Sequence, residues 1–268
     1  MSSKRLHVPE RSKKHAWIDV CVVFSPVVHP DRGEVHGLGR SDFSFVVMQK
    51  ILQRHSYEVV VQSYPSTKAD LFALAEQTLP RAFDACEADT VHIVTHSMGG
   101  ILVRIWLAQG RSDVPNDQAG LTRPAPQDQR ARLGRVVMLA PPNQGSEVVD
   151  VFGNMRLFSW LNGPASQQLG TDGVAPVLPQ VRYPLGVIAG NRSINPLFSA
   201  LIPGRDDGAV SVAATAMKGM TDHITLPATH SFLMNNPLVL YQVLWFLRQG
   251  AFARDVTLMD AVKALTQH

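Results

Sequence analysis

Val91-His92-Ile93-Val94-Thr95-His96-Ser97-Met98-Gly99-Gly100 is the stretch on which the fold turns. An apolar run of strand character enters a tight turn at Ser97, and a helical pattern, Met98 to Ala108, follows at once. A serine at such a turn is lifted above the carboxyl edge of a sheet, with the positive end of a helix beneath it. Small flanking residues let strand and helix approach closely enough to force the bend. The pattern here is T-x-S-x-G, with Thr95 where the more usual G-x-S-x-G has its first glycine. Taken alone, the same residues also read as a helix N-cap serine after a strand.

On both sides of this segment, short β-branched runs alternate with longer stretches of helical period. Tyr57–Val61, Thr90–Thr95, Arg135–Ala140, Leu185–Ala189 and Ile224–Leu226 read as strands. Ser41–His55 sets Phe43, Val47 and Ile51, and Met48 and Leu52, at i, i+4 spacing, which suits a helix lying on a sheet. Asp70–Phe83, Met98–Ala108 and Asn236–Arg248 have the same character, the last with Asn235 or Asn236 as N-cap and Gly250 just past its end. Alternating strands and helices predict an α/β fold, a three-layer αβα sandwich around a mainly parallel sheet. The turn-like Tyr64-Pro65-Ser66 closes one strand, and the polar Gly110–Arg132 reads as a surface loop. Glu147–Tyr183 is irregular yet apolar, with Val151, Phe152, Leu157, Phe158, Trp160 and Leu161, and reads as a small cap over a pocket. The predicted organisation is one domain over 35–268, its cap at about 147–183, behind a leader, 1–34, of uncertain structure.

Composition removes several function classes. The 268 residues are 45% hydrophobic and 18% charged, too apolar for a disordered chain. Lys+Arg 25 against Asp+Glu 22 leaves only +3, and Lys4, Arg5, Arg11, Lys13 and Lys14 supply much of it. That is a short basic leader rather than a basic face, so nucleic acid is not an expected partner. No run reaches the ~18 apolar residues of a membrane span, and Leu238–Leu247 reads as a core helix. Cys21 and Cys86 have no metal-ligand spacing and read as buried free thiols. The leader followed by Ile18–Val28 imitates a secretion signal, but Asp19 and Pro26 interrupt it and no small-x-small site follows. Compartment is left open, with the cytoplasm preferred to secretion, and so is oligomeric state.

A serine hydroxyl is a poor nucleophile near neutral pH unless a base takes its proton. Ten histidines compete for that role. Ile202-Pro203-Gly204-Arg205-Asp206-Asp207-Gly208 follows the strand that ends at Ala189, and Pro227-Ala228-Thr229-His230 follows Ile224–Leu226. Serine, then aspartate, then histidine is the chain order of the hydrolase triad on α/β sheets. His230, in a loop before a helix, is preferred to His223, which sits at the start of a strand. Asp207, directly before Gly208, is preferred to Asp206, although either carboxylate also suits plain turn chemistry. The acid would fix the tautomer of His230 and stabilise its imidazolium. The amide of Met98, just after the serine, is one candidate oxyanion donor. His36-Gly37-Leu38-Gly39-Arg40 offers a glycine-rich turn before the first helix, and with it Leu38 N–H as the second.

Together these segments resemble the α/β-hydrolase superfamily, in particular its lipase- and esterase-like bacterial members. The resemblance runs from about Val35 to Phe252 and includes His36–Arg40, Tyr64-Pro65-Ser66-Thr67, Thr95–Gly100, Ala140–Ser146, Asp206-Asp207-Gly208 and His230. It implies Ser97 as nucleophile, Asp207 as acid, His230 as base, and Leu38 and Met98 as oxyanion donors, with Pro142–Ser146 lining the mouth. Relatives carry Ala or Thr at the position of Thr95. It implies a carboxylic ester substrate with an apolar or lipid-like part, an acyl-enzyme, and no metal or organic cofactor. An acyltransferase on the same triad and a catalytically silent binding protein are the alternatives. A dehalogenase or epoxide hydrolase would need a carboxylate where Ser97 stands. The chain departs from the family where an apolar strand should run straight into the His-Gly turn, because His29-Pro30-Asp31-Arg32-Gly33-Glu34 intervenes. Either Ile18–Val28 is that strand and an insertion follows, or 1–34 is not native to the fold.

Overall fold

A computed structural model describes residues 20–25, 27–28, 45–62, 64–65, 69–109, 126–152, 165, 168–194 and 196–267. Its strands in chain order are β1 (Val20–Ser25), β2 (Val27–Val28), β3 (Glu58–Val61), β4 (Tyr64–Pro65), β5 (Thr90–His96), β6 (Leu133–Leu139), β7 (Leu185–Gly190) and β8 (Asp222–Leu226). Six of them form one sheet in the order β3-β1-β5-β6-β7-β8, and every pair in it is parallel. The strand order reverses between β1 and β5. In open α/β sheets the crevice outside the carboxyl ends at such a reversal is where ligands bind, and Ser97 follows the last residue of β5.

The helices are α1 (Val46–Arg54), α2 (Leu71–Asp84), α3 (Met98–Ala108), α4 (Gln127–Ala131), α5 (Glu147–Phe152), α6 (Val174–Val177), α7 (Pro196–Ser199), α8 (Val212–Thr215), α9 (Pro237–Gln249) and α10 (Leu258–Thr266), with a 3-10 turn at His230–Asn235 before α9. Successive side chains of a strand point to opposite faces, and here the alternation sorts them into two apolar layers. Ile93, Val136, Met138, Leu185 and Val187 join the core beneath α2 and α3. Val94, Val137, Leu139 and Ile188 join the core beneath α1 and α9. Buried on both faces, these strands read as near-continuous apolar runs, as a covered parallel sheet requires. Among the described residues no helix is long and apolar enough to cross a membrane.

Helix ends follow local chemistry. Asp70 caps α2 by accepting from Ala73 N, and Asn236 caps α9 by accepting from Leu238 N, with Pro237 in the first turn. Gly250 ends α9 with φ +79°, a left-handed geometry that a glycine adopts at little cost.

Several details differ from the sequence expectations. The sheet takes in β1 between β3 and β5, so part of 1–34 lies within it. Tyr64-Pro65 is not a plain turn but pairs with β2, because the chain leaves both neighbouring strands in the same direction. The expected loop Gly110–Arg132 ends in the helical turn α4, whose Gln129 bonds Asp84 and Pro80 O on α2. Cys86 is buried as expected but disulfide-bonded rather than free, since the span between two cysteines in sequence says nothing of their distance in space. Of the predicted cap, 153–164 and most of 165–167 lie outside the described residues, Phe158 and Trp160 among them.

Candidate active site

The turn between β5 and α3 holds Ser97 at φ 54°, ψ −127°, a conformation that costs free energy for a residue with a Cβ. Ser97 N donates to Leu139 O at 2.8 Å, which ties the turn to β6. The tightness extends to Gly100, where a Cβ would stand 3.0 Å from Pro141 Cβ and 3.1 Å from Met138 Sδ. The small residues after the serine are thus a packing requirement of helix against strand.

His230 opens the 3-10 turn beyond β8, and Asp207 lies in the loop after α7. The His230 Nε2–Ser97 Oγ distance is 3.1 Å and the His230 Nδ1–Asp207 Oδ2 distance is 2.8 Å. Asp207 is 2% exposed, and its Oδ1 accepts from Ala209 N at 3.0 Å and Val210 N at 2.9 Å. One carboxylate oxygen is therefore held by the main chain, and the other is left for the imidazole. His230 N donates to Asp207 O at 2.8 Å, so the two loops are joined through backbone as well. Their approach depends on Gly190 at the end of β7, where a Cβ would fall 2.5 Å from Ala228 O and 2.8 Å from Asp207 Cβ.

The competing residues point elsewhere. Asp206 Oδ1 accepts from Ser199 Oγ and Gly208 N, so it shapes its own loop. Gly208 follows Asp207 with φ +97°, the left-handed turn that a glycine suits. His223 Nε2 lies 2.9 Å from Thr215 Oγ1, whose proton goes to Val212 O, so the imidazole donates there. Burial lowers the His223 pKa, with Asp222 opposing and Arg254 assisting. Met98 begins α3, and its amide is one of the first-turn N–H groups that have no intrahelical acceptor. Leu38 lies outside the described residues. Among the described residues no three His, Cys, Asp or Glu side chains are grouped to hold a metal.

In sequence the chain matches no protein-family model and no curated protein. In structure it is similar to the mature lipase BlEst2 of Bacillus licheniformis, with TM-score 0.56 and 18% identity over 85% of this chain and 91% of that one. It is also similar to the Staphylococcus hyicus lipase, with TM-score 0.56 and 14% identity over 87% and 92% of the two chains. The Legionella pneumophila phospholipase PlaB gives TM-score 0.54 and 18% identity over 92% of this chain and 61% of its own. The fold is that of the α/β-hydrolases.

Within this α/β-hydrolase fold, the turn after β6 braces the site from below. Arg104 on α3 donates through Nη1 to Asn143 O and Oδ1 and through Nη2 to Leu178 O. Asn143 Nδ2 donates in turn to Thr215 O, and Ser146 Oγ to Ala209 O in the loop of Asp207. The helix behind Ser97, the Pro141–Ser146 turn and the Asp207 loop are thus one hydrogen-bonded body. Burial lowers the Arg104 guanidinium to about 10, with Tyr183 acting in the opposite direction.

Two contributors escape a motif reading, Arg104 and His96. Arg104 is a lone charge among the apolar residues of α3, and that isolation is its signal. His96 lies two residues after Val94 and so on the same strand face, and its ring stands 4.6 Å from that of His230.

Proposed function

We propose that the chain is a serine hydrolase of carboxylic esters, with Ser97 as nucleophile, His230 as general base and acid, and Asp207 as the orienting carboxylate. The observation that carries this reading is the continuous line from Ser97 Oγ through His230 to Asp207 Oδ2, with contacts of 3.1 and 2.8 Å. Ser97 Oγ attacks the ester carbonyl carbon while His230 Nε2 takes its proton, and the carbonyl oxygen becomes an oxyanion. Met98 N–H meets that charge at the positive end of α3, with Leu38 N–H as its partner. Collapse breaks the bond to the alkoxy oxygen, which leaves as the alcohol with the proton from His230. Water, deprotonated by His230, then attacks the acyl-enzyme, and the acid departs as Ser97 regains its proton. Asp207 keeps the proton on Nδ1, so that Nε2 faces the serine as an acceptor.

An apolar or lipid-like ester is favoured by the fold's likeness to proteins described as lipases and a phospholipase. An apolar residue beside the site points the same way: Phe232, two residues past His230, is 59% exposed.

The test is labelling with a fluorophosphonate probe, read by intact mass on the parent protein and on Ser97→Ala. A single addition that disappears in the variant is expected, followed by turnover of a p-nitrophenyl ester series rising with acyl length. No addition to a folded parent would overturn the reading. Ester turnover only when a second alcohol is supplied would make it an acyltransferase.

A further inference from the structure

His96 has no part in the chemistry above, yet it touches the base at two places. Its Nε2 lies 2.9 Å from the carbonyl oxygen of His230, and the two rings lie 4.6 Å apart between centroids, tilted by 49°. A carbonyl only accepts, so His96 Nε2 carries the proton and donates it. His96 is the last residue of β5, joined by one peptide bond to Ser97, whose own N–H is fixed to Leu139 O.

Four polar atoms of His230 are then held at once. Its N–H goes to Asp207 O, its C=O receives His96 Nε2–H, its Nδ1 meets Asp207 Oδ2 and its Nε2 meets Ser97 Oγ. Two of these ties fix the main chain and two fix the ring. The loops of Asp207 and His230 support each other, and Ser146 ties the Asp207 loop to the turn after β6, but none of those bonds reaches the His230 main chain from β5. The His96 hydrogen bond joins the main chain of the base to the strand that carries the nucleophile.

We propose that His96 is the positioning residue of this site: its imidazole registers the His230 backbone against β5 and thereby sets the distance from Nε2 to Ser97 Oγ. The proposal rests on the serine-hydrolase reading, and its effect falls on the chemical step rather than on substrate binding. A displacement of about 1 Å between reacting groups is enough to cost roughly 100-fold in rate.

His96→Phe keeps a ring against His230 and removes the donor, whereas His96→Gln keeps a donor of similar reach and removes the ring. The expected result for His96→Phe is a kcat lower by about 10- to 100-fold with KM within about twofold, and fluorophosphonate labelling slowed in proportion. His96→Gln should recover most of that loss, with both variants melting near the parent temperature. A His96→Phe protein with parental kcat would overturn the proposal. So would equal losses in both variants with a raised KM, the pattern of simple packing damage.

Nitrogen NMR of the unmutated full chain keeps the test open if a variant fails to fold. His96 should be the Nε2–H tautomer with that proton shielded from exchange, and an Nδ1–H tautomer would overturn the proposal without reference to activity. A parent that neither labels nor turns over esters refutes the hydrolase reading instead, and the tautomer then decides separately whether His96 holds His230.

Discussion

Asp206 and Asp207 differ by one position, and the difference is whether a carboxylate spends its oxygens on its own loop or offers one to an imidazole. Asp206 accepts from Ser199 and Gly208, while Asp207 divides its two oxygens between backbone amides and His230. Asp207→Asn should leave the loop nearly intact, because an amide oxygen still accepts from Ala209 and Val210. The amide N–H2 cannot accept the Nδ1 proton, so His230 would turn to the wrong tautomer and kcat should fall about 10⁴-fold with the fold unchanged. Asp206→Asn retains its accepting Oδ1 and should stay within about threefold of the parent. Steady-state ester kinetics with thermal melting on both variants checks the pair, and equal losses would refute the assignment. That Ser97, His230 and Asp207 come together was legible from the strand–turn–helix signal, chain order and the following glycine. The choice between neighbouring carboxylates was only weakly legible, because Asp-Gly is common in ordinary turns.

The pairing of β5 with β6 contains a detail that hydrophobic patterning does not carry. Val91 pairs with Leu133 and Ile93 with Val136, so β6 has one extra residue between them. His92 fills the irregularity, its Nδ1 accepting from Arg135 N at 2.8 Å in place of a ladder carbonyl. The same ring occupies the position of a missing side chain, since a Cβ on Gly134 would lie 2.2 Å from His92 Nδ1. Gly134→Ala should therefore lower stability by about 3 kcal/mol, at the upper end of overpacking costs, as read from urea unfolding. Burial, and to a smaller degree Arg135, lowers the His92 pKa to about 4 from 6.5. The unfolded chain binds this proton more readily than the folded one, so His92 contributes stability in full above pH 6.5. That contribution is lost as the pH falls from 6.5 towards 4, in all about 3 kcal/mol. Unfolding free energies from urea titration of the parent and His92→Gln should converge over that window by this amount, and parallel curves would refute the linkage. Strand identity was readable because β-branched runs report burial. The bulge was not, because a period of two residues records which face a side chain takes and not where a partner strand slips. The helix α10 was missed although Thr257 and Asp260 form a capping box, since the residues it buries are few, Ala261 and Leu265, while its larger apolar residues Leu258, Met259 and Val262 lie exposed.

At the scale of the molecule, the reversal of strand order between β1 and β5 explains why one edge of the sheet gathers Ser97, His230 and Asp207. The loops that leave β5, β7 and β8 all exit at the carboxyl ends beside it. This arrangement depends on β1, the strand whose status the sequence left open between insertion and foreign leader. Cys21 to Phe24 register with Glu58 to Val61 on one side, and Val20 to Ser25 with Thr90 to Thr95 on the other. Removal of residues 1–34 would leave β3 without a neighbour in the sheet and turn β5, the strand that leads into Ser97, into an open edge. Val91, Ile93 and Val94 would lose the neighbour on one side, while their partners on β6 would remain. The expected outcome is loss of cooperative thermal unfolding and of fluorophosphonate labelling together, with aggregation through the unpaired edge. Circular dichroism melting and probe labelling of the shortened and full chains measure both. If the shortened chain unfolded cooperatively and labelled at the full rate, β1 would be dispensable, and residues 1–34 would be foreign to the fold. If folding were lost, 1–34 would be native to the fold, with His29–Glu34 as the insertion that follows its strand.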